Sequence, residues 1–97
     1  MKVLRVTMPD GSKWDVPAEE IAKHRASYYA VRDGNSDTFK REFDFAMSDN
    51  YELTDWAENN MNWEDVEAIA TRWIAPVPGD VDYREGWVGG HKEVITL

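Results

Sequence analysis

Glu20 and His24 are the first pair in this chain whose types and spacing could do chemistry. At i and i+4 they share one face of a helix, the arrangement in which two side chains hold one metal ion. No third ligand stands nearby, and an exposed helical ion pair accounts for the same spacing. "DGNSD" offers a second possibility: Asp33, Asn35 and Asp37 fall at positions 1, 3 and 5 of a calcium loop, with Asp44 at position 12. The glycine such a loop needs at position 6 is Thr38, and the closing bidentate glutamate is missing. An inter-helix turn with a cap is the simpler expectation. "EGWVGGHK" has the glycines and lysine of a phosphate loop, but neither its spacing nor the Ser/Thr after the lysine. Serines and threonines are scattered, with no nucleophile elbow and no pairing to either histidine. Without cysteine, disulfides, thiolate zinc sites and thiol nucleophiles are excluded. The expectation is a protein that is not an enzyme and needs no metal or cofactor.

Charge is the stronger signal. Residues 42–71 hold nine carboxylates and no Lys or Arg, a local balance of −9 in a chain of net −8; residues 1–41 carry +2 and residues 72–97 carry −1. Asp49, Glu52, Asp55 and Glu58 lie around one short helix whose apolar side is Leu53, Trp56 and Ala57. Like charges so close destabilise a helix by a few tenths of a kcal/mol per pair, roughly, and no lysine offsets them. Two readings follow. A soluble domain can simply carry its net charge on its helices. Alternatively Asp44, Asp49, Glu52, Asp55, Glu58, Glu64, Asp65 and Glu67 form an anionic surface that meets a basic protein or imitates nucleic-acid phosphates. Such a surface would repel nucleic acid itself.

Aromatic residues suggest a different site. Five Trp, four Tyr and three Phe are many for 97 residues, and a core this small need not hide them all. Trp87 beside "REGWVGGHK" could stack a nucleobase while Arg84, His91 and Lys92 meet phosphates. Core packing or a homodimer interface is the plainer use of the same residues.

These residues must be positioned by one domain, residues 1–97, since the length suits one modest core. "KVLRVTM" alternates with Leu4, Val6 and Met8 on one face, "PDG" signals a turn, and "SKWDV" completes a hairpin. Pro17 suits the first turn of a helix running to about Arg32, with Ala18, Ile21, Ala22, Arg25, Tyr28 and Tyr29 as its inward stripe. A second helix starts near Ser36 or Asp37 with Phe39, Phe43, Ala46 and Met47 inward, and a third carries Leu53, Trp56 and Ala57. Asn62 and Asp65 cap one further turn. "AIATRWIAP" reads as a strand stopped by Pro76, "PVPGD" as a loop, and "REGWV" and "HKEVITL" as two strands around a Gly89-Gly90 hairpin. The fold class expected is α+β: a mostly antiparallel sheet, built from the N-terminal hairpin and C-terminal strands, with three to four helices on one face. "MKVLRVTM" is too short and interrupted for a signal peptide, and no apolar run reaches the roughly 20 residues of a membrane span. A cytosolic protein is expected.

"MPDGSKWDVPAEEIAKHRASYYA", "DNYELTDWAENNMNWEDV" and "VDYREGWVGGHKEV" together resemble a group of short, acidic, uncharacterised proteins of tailed bacteriophages and prophages. The resemblance covers most of the chain and carries no assigned activity, so no functional residue transfers. It implies a setting, the cytosol of an infected bacterium, where small non-catalytic phage proteins act by blocking host machines. The leading expectation is therefore a binding protein, for host takeover or anti-defence inhibition, that docks its acidic helical face on a basic host protein. A small nucleotide-binding protein using the C-terminal residues is the alternative, and an accessory role in the virion stands third. Neither a membrane nor direct nucleic acid is expected as a partner.

Overall fold

The computed structural model describes residues 1–74, 79 and 81–97. Two strands open it, β1 (Lys2–Thr7) and β2 (Lys13–Pro17), followed by four helices: α1 (Ala18–Asp33), α2 (Ser36–Ser48), α3 (Asn50–Asn60) and α4 (Trp63–Val66). Strand β3 (Thr71–Ile74), helix α5 (Tyr83–Gly89) and strand β4 (His91–Thr96) complete it. The strands form one antiparallel sheet in the order β3-β2-β1-β4. This is an α+β fold, as the pattern of strands and helices implies.

The alternation in β1 sets the layering. Leu4, Val6 and Met8 point to one side with Val16 of β2, and all four are buried. All five helices supply residues to the same cluster: Ile21 and Ala22 from α1, Ala46 from α2, Leu53 and Trp56 from α3, Trp63 and Val66 from α4, and Trp87 from α5. The opposite sheet face is polar at its centre. Arg5 is paired to Asp15 at 2.7 Å, and its guanidinium lies 4.1 Å from the centre of the Trp73 ring.

Local chemistry explains the boundaries. Gly11 takes φ +81° in the hairpin turn, a region open chiefly to glycine, while Met8 and Ser12 close the loop with a 2.8 Å backbone bond. Pro17 ends β2 and sits one place before α1 rather than inside its first turn. Gly34 ends α1 in the left-handed conformation, donating its amide to Ala30. Asn35, not Ser36 or Asp37, caps α2, accepting from the Asp37 amide at 2.9 Å. The capping box of Asn62 and Asp65 forms around α4.

The C-terminal expectation is corrected. Residues 83–89 are helical, so the sheet has four strands among the described residues and there is no Gly89-Gly90 hairpin. Asp82 caps this helix, accepting from the Arg84 amide at 2.9 Å. The Trp87 side chain drops into the core and donates to the carbonyl oxygens of Ala57 and Met61, each at 3.1 Å. Tyr28 is a smaller correction: it leaves the core stripe of α1 and is 55% exposed. The stop expected at Pro76 lies outside the described residues, as does the "PVPGD" loop apart from Gly79.

Candidate functional site

The acidic stretch is far less naked in the fold than along the chain. Glu42 meets Arg25 at 2.9 Å, and Glu52 approaches the same guanidinium at 3.8 Å. Lys40 reaches Asp44 at 2.6 Å, Lys92 reaches Glu58 at 3.1 Å, and Arg84 pairs with Glu64. Four cations, from α1, α2, α5 and β4, thus pair with five of the nine carboxylates, Arg25 being shared by two. Asp49 caps α3 by accepting from the Glu52 amide at 3.2 Å, Asp65 accepts from the Asn62 amide at 2.8 Å, and Asp55 accepts from Asn59 at 2.9 Å. Among the described residues, Asp49, Asp55, Asp65 and Glu67 have no Lys, Arg or His within ion-pair distance. These four, on α3 and α4 and the residue that ends α4, carry what remains of the anionic surface.

The alternative ligand residues do not assemble into a site. Trp87 is fully buried and cannot stack an external ring. The Lys92 ammonium is held by Glu58 and by the carbonyls of Val88 and Gly90, with only 2% of its side chain exposed. Arg84 is engaged with Glu64, and His91 lies alone and exposed at the start of β4. Nor do Glu20 and His24 face a common ligand: Glu20 pairs with Lys23 at 3.5 Å, and His24 Nδ1 accepts a 2.9 Å bond from Trp56 Nε1. Asp33 pairs with Arg32 at 3.4 Å, and Asn35 serves as a cap, which accounts for "DGNSD" as a turn. Among the described residues no three His, Asp or Glu side chains converge as a metal site requires.

A groove of about 680 Å³ has one of the free carboxylates, Asp65, in its lining. The outer face of α1 forms one wall, with His24, Tyr28 and Val31, and Met61, Asp65 and Ile69 form the other. Its Tyr28 belongs to an aromatic cluster in which the rings of Tyr28 and Tyr29 lie 5.5 and 5.7 Å from that of Trp56. An indole N–H can only donate, so His24 Nδ1 carries the lone pair and the ring proton sits on Nε2. Tyr28, Val31 and Ile69 are large apolar side chains left in contact with solvent. The arrangement suits binding of an apolar surface with polar groups at its rim. Among its described lining residues no hydroxyl is hydrogen-bonded to His24 or to a carboxylate.

No family model matches the sequence, and no curated protein or solved structure matches it significantly.

Sequence reasoning missed the groove. Its signal was present in the 3.6-residue period: His24, Tyr28 and Val31 recur at three- and four-residue steps along one flank of α1, beside the buried Ile21. Tyr28 follows Arg25 by three residues, so the spacing alone puts it in the inward stripe. The second wall, from the α3–α4 corner, has no signature along the chain.

Proposed function

We propose that this chain is a non-catalytic binding domain that docks on a basic surface of another protein through the carboxylates of α3 and α4. One observation carries the reading: after the fold has distributed its own cations, Asp49, Asp55, Asp65 and Glu67 still lack a cationic partner among the described residues. Carboxylates spread over adjoining helices raise the encounter rate with a basic surface and reject acidic ones. The same charges disfavour direct contact with nucleic acid, whose phosphates they resemble. The sequence resemblance supplies a setting for this proposal: a phage protein in the bacterial cytosol, inhibiting a host defence nuclease or the transcription machinery.

The test uses Asp49→Asn, Asp55→Asn, Asp65→Asn and Glu67→Gln together. Each replacement keeps an amide oxygen, so the two helix caps and the Asn59 bond retain an acceptor while four charges disappear. Affinity capture from bacterial lysate is compared between this variant and the parent protein, with bound proteins identified by mass spectrometry. The parent should retain basic proteins at roughly 0.1 M salt and release them toward 1 M, where the screening length falls to about 3 Å. The variant should retain them poorly at either salt concentration. Equal capture by a variant with an unchanged melting temperature would sink the reading. Replacing Glu52 or Glu58 is a poorer test, because these hold the buried Arg25 and Lys92.

A further inference from the structure

We infer that the groove between α1 and the α3–α4 corner seats an amphipathic, basic α-helix of the partner. This rests on the docking reading above and names the element that docks. Three observations carry it.

The groove has the length of a short helix. Its lining runs along α1 from Glu20 to Arg32, twelve steps of about 1.5 Å, or roughly 18 Å, which matches three turns of a guest helix. Its anchoring surface is apolar and open: Val31 is 84% exposed, Tyr28 55% and Ile69 38%. These are contacts for guest residues at i, i+3 or i+4, and i+7.

Charge selects the guest. The two cations of the α1 wall are already committed, Lys23 to Glu20 at 3.5 Å and Arg32 to Asp33 at 3.4 Å. On the opposite wall Asp65 has no cationic partner among the described residues. The uncompensated charge at the rim is therefore negative, and a guest with lysines or arginines along one edge complements it.

Backbone chemistry selects a helix over an extended segment. Among the described residues the groove is lined by helices, by Met61 between α3 and α4 and by the turn after α4, with no strand edge to take the amides and carbonyls of an extended guest. A helix brings its backbone bonds with it.

The experiment measures fluorescence anisotropy of a labelled peptide of about 14 residues, with leucines at i, i+3, i+4 and i+7 and lysines elsewhere. Two twins accompany it, one with glutamate for every lysine and one with a central proline. The lysine peptide should bind the parent protein, and both twins should bind at least about tenfold more weakly. Val31→Glu and Ile69→Glu should each weaken the lysine peptide by about tenfold or more, although each adds a negative charge that would strengthen a purely electrostatic contact. The melting temperature of Val31→Glu should be unchanged, because that side chain is 84% exposed, and binding by Ile69→Glu is read where its melting curve shows it folded, since Ile69 is only 38% exposed.

If both variants bind the lysine peptide as well as the parent does, while the four-carboxamide variant loses it, the groove is not the site and acidic docking survives. Equal binding of the proline twin overturns the helical guest. If the parent binds no peptide, the inference is wrong. A folded basic protein such as lysozyme then decides the wider reading: its retention at low salt keeps acidic docking, and its failure to bind removes both.

Discussion

Asp10 shows how much one side chain can tie together. Its Oδ1 accepts from the Ser12 hydroxyl at 2.6 Å and from the Ser12 amide at 2.9 Å, and its Oδ2 accepts from the Tyr83 hydroxyl. Trp14 Nε1 donates to the Ser12 hydroxyl at 3.0 Å, so the hairpin turn is clamped to the start of α5. Partial desolvation pushes the Asp10 carboxyl up, but the hydrogen bonds from Ser12 and Tyr83 outweigh it and hold the pKa below the usual carboxylate value. Because the folded-state pKa is the lower one, the stabilisation is complete above the unfolded value, about 3.9, and is lost as pH falls through the folded value. The melting temperature of Asp10→Asn should therefore run parallel to that of the parent above about pH 5 and converge toward it in acid. Tyr83→Phe removes one donor and should shrink the same pH-dependent gap. A constant offset between Asp10→Asn and the parent from pH 7 to about pH 2.5 would show that the clamp does not stabilise the ionised form. The turn was legible in "PDG"; its partner Tyr83, distant in sequence, was not.

Among the elements, α5 is the instructive one. "REGWV-GG-HKEV" has the alternation and paired glycines of a hairpin, yet tertiary packing makes its first half a helix. The glycines answer to space rather than to turn geometry. A Cβ on Gly90 would lie 2.4 Å from the Gly86 carbonyl oxygen and 2.5 Å from that of Thr7, while one on Gly89 would meet nothing within 4 Å. Gly90→Ala should thus lower the melting temperature, since the neighbours are backbone atoms that cannot rotate away. Gly89→Ala, at the end of α5, should be neutral or stabilise by up to roughly 1 kcal/mol through backbone entropy. Thermal denaturation of the two variants tests the assignment, and the reverse order would restore a hairpin, in which Gly89 would be the demanding position.

For the whole molecule, folding is a redistribution of charge. Arg25 lies among α1, α2 and α3, nine-tenths buried, between Glu42 and Glu52 and against the rings of Tyr29 and Phe45. Its Nε is buried without a hydrogen-bond partner among the described residues, so the guanidinium depends on its carboxylates. Removing Glu42 should cost about 1.5–3 kcal/mol, the range for a hydrogen bond to a charged group, with Glu52 limiting the loss. Glu67→Ala, at a surface position with no such partner, should change stability by no more than about 0.5 kcal/mol. Chemical denaturation compares them; equal values would mean that Arg25 draws nothing from Glu42. Half of the acidic stretch is thus internal electrostatics, and only its remainder is available to a partner.

Periodicity alone determined most of the scaffold: the N-terminal hairpin, the faces of β1, helices α1 to α4, and the burial of Ile21 with Leu4 and Val6. These follow from local repeats of two and 3.6 residues and from caps within a few positions, all of which a linear chain displays. The acidic excess of residues 42–71 was equally plain in the sequence. Which of those carboxylates stay free was not, because their partners Arg25, Arg84 and Lys92 stand 17, 20 and 34 positions away from them. The fate of Trp87 needed the same information: a tryptophan is buried or exposed according to what packs over it, and the carbonyls of Ala57 and Met61 come from the far end of another helix. The groove, too, exists only once α1 and the α3–α4 corner stand side by side. Charge pairing and concavity are relations between distant segments, and tertiary packing alone decides them.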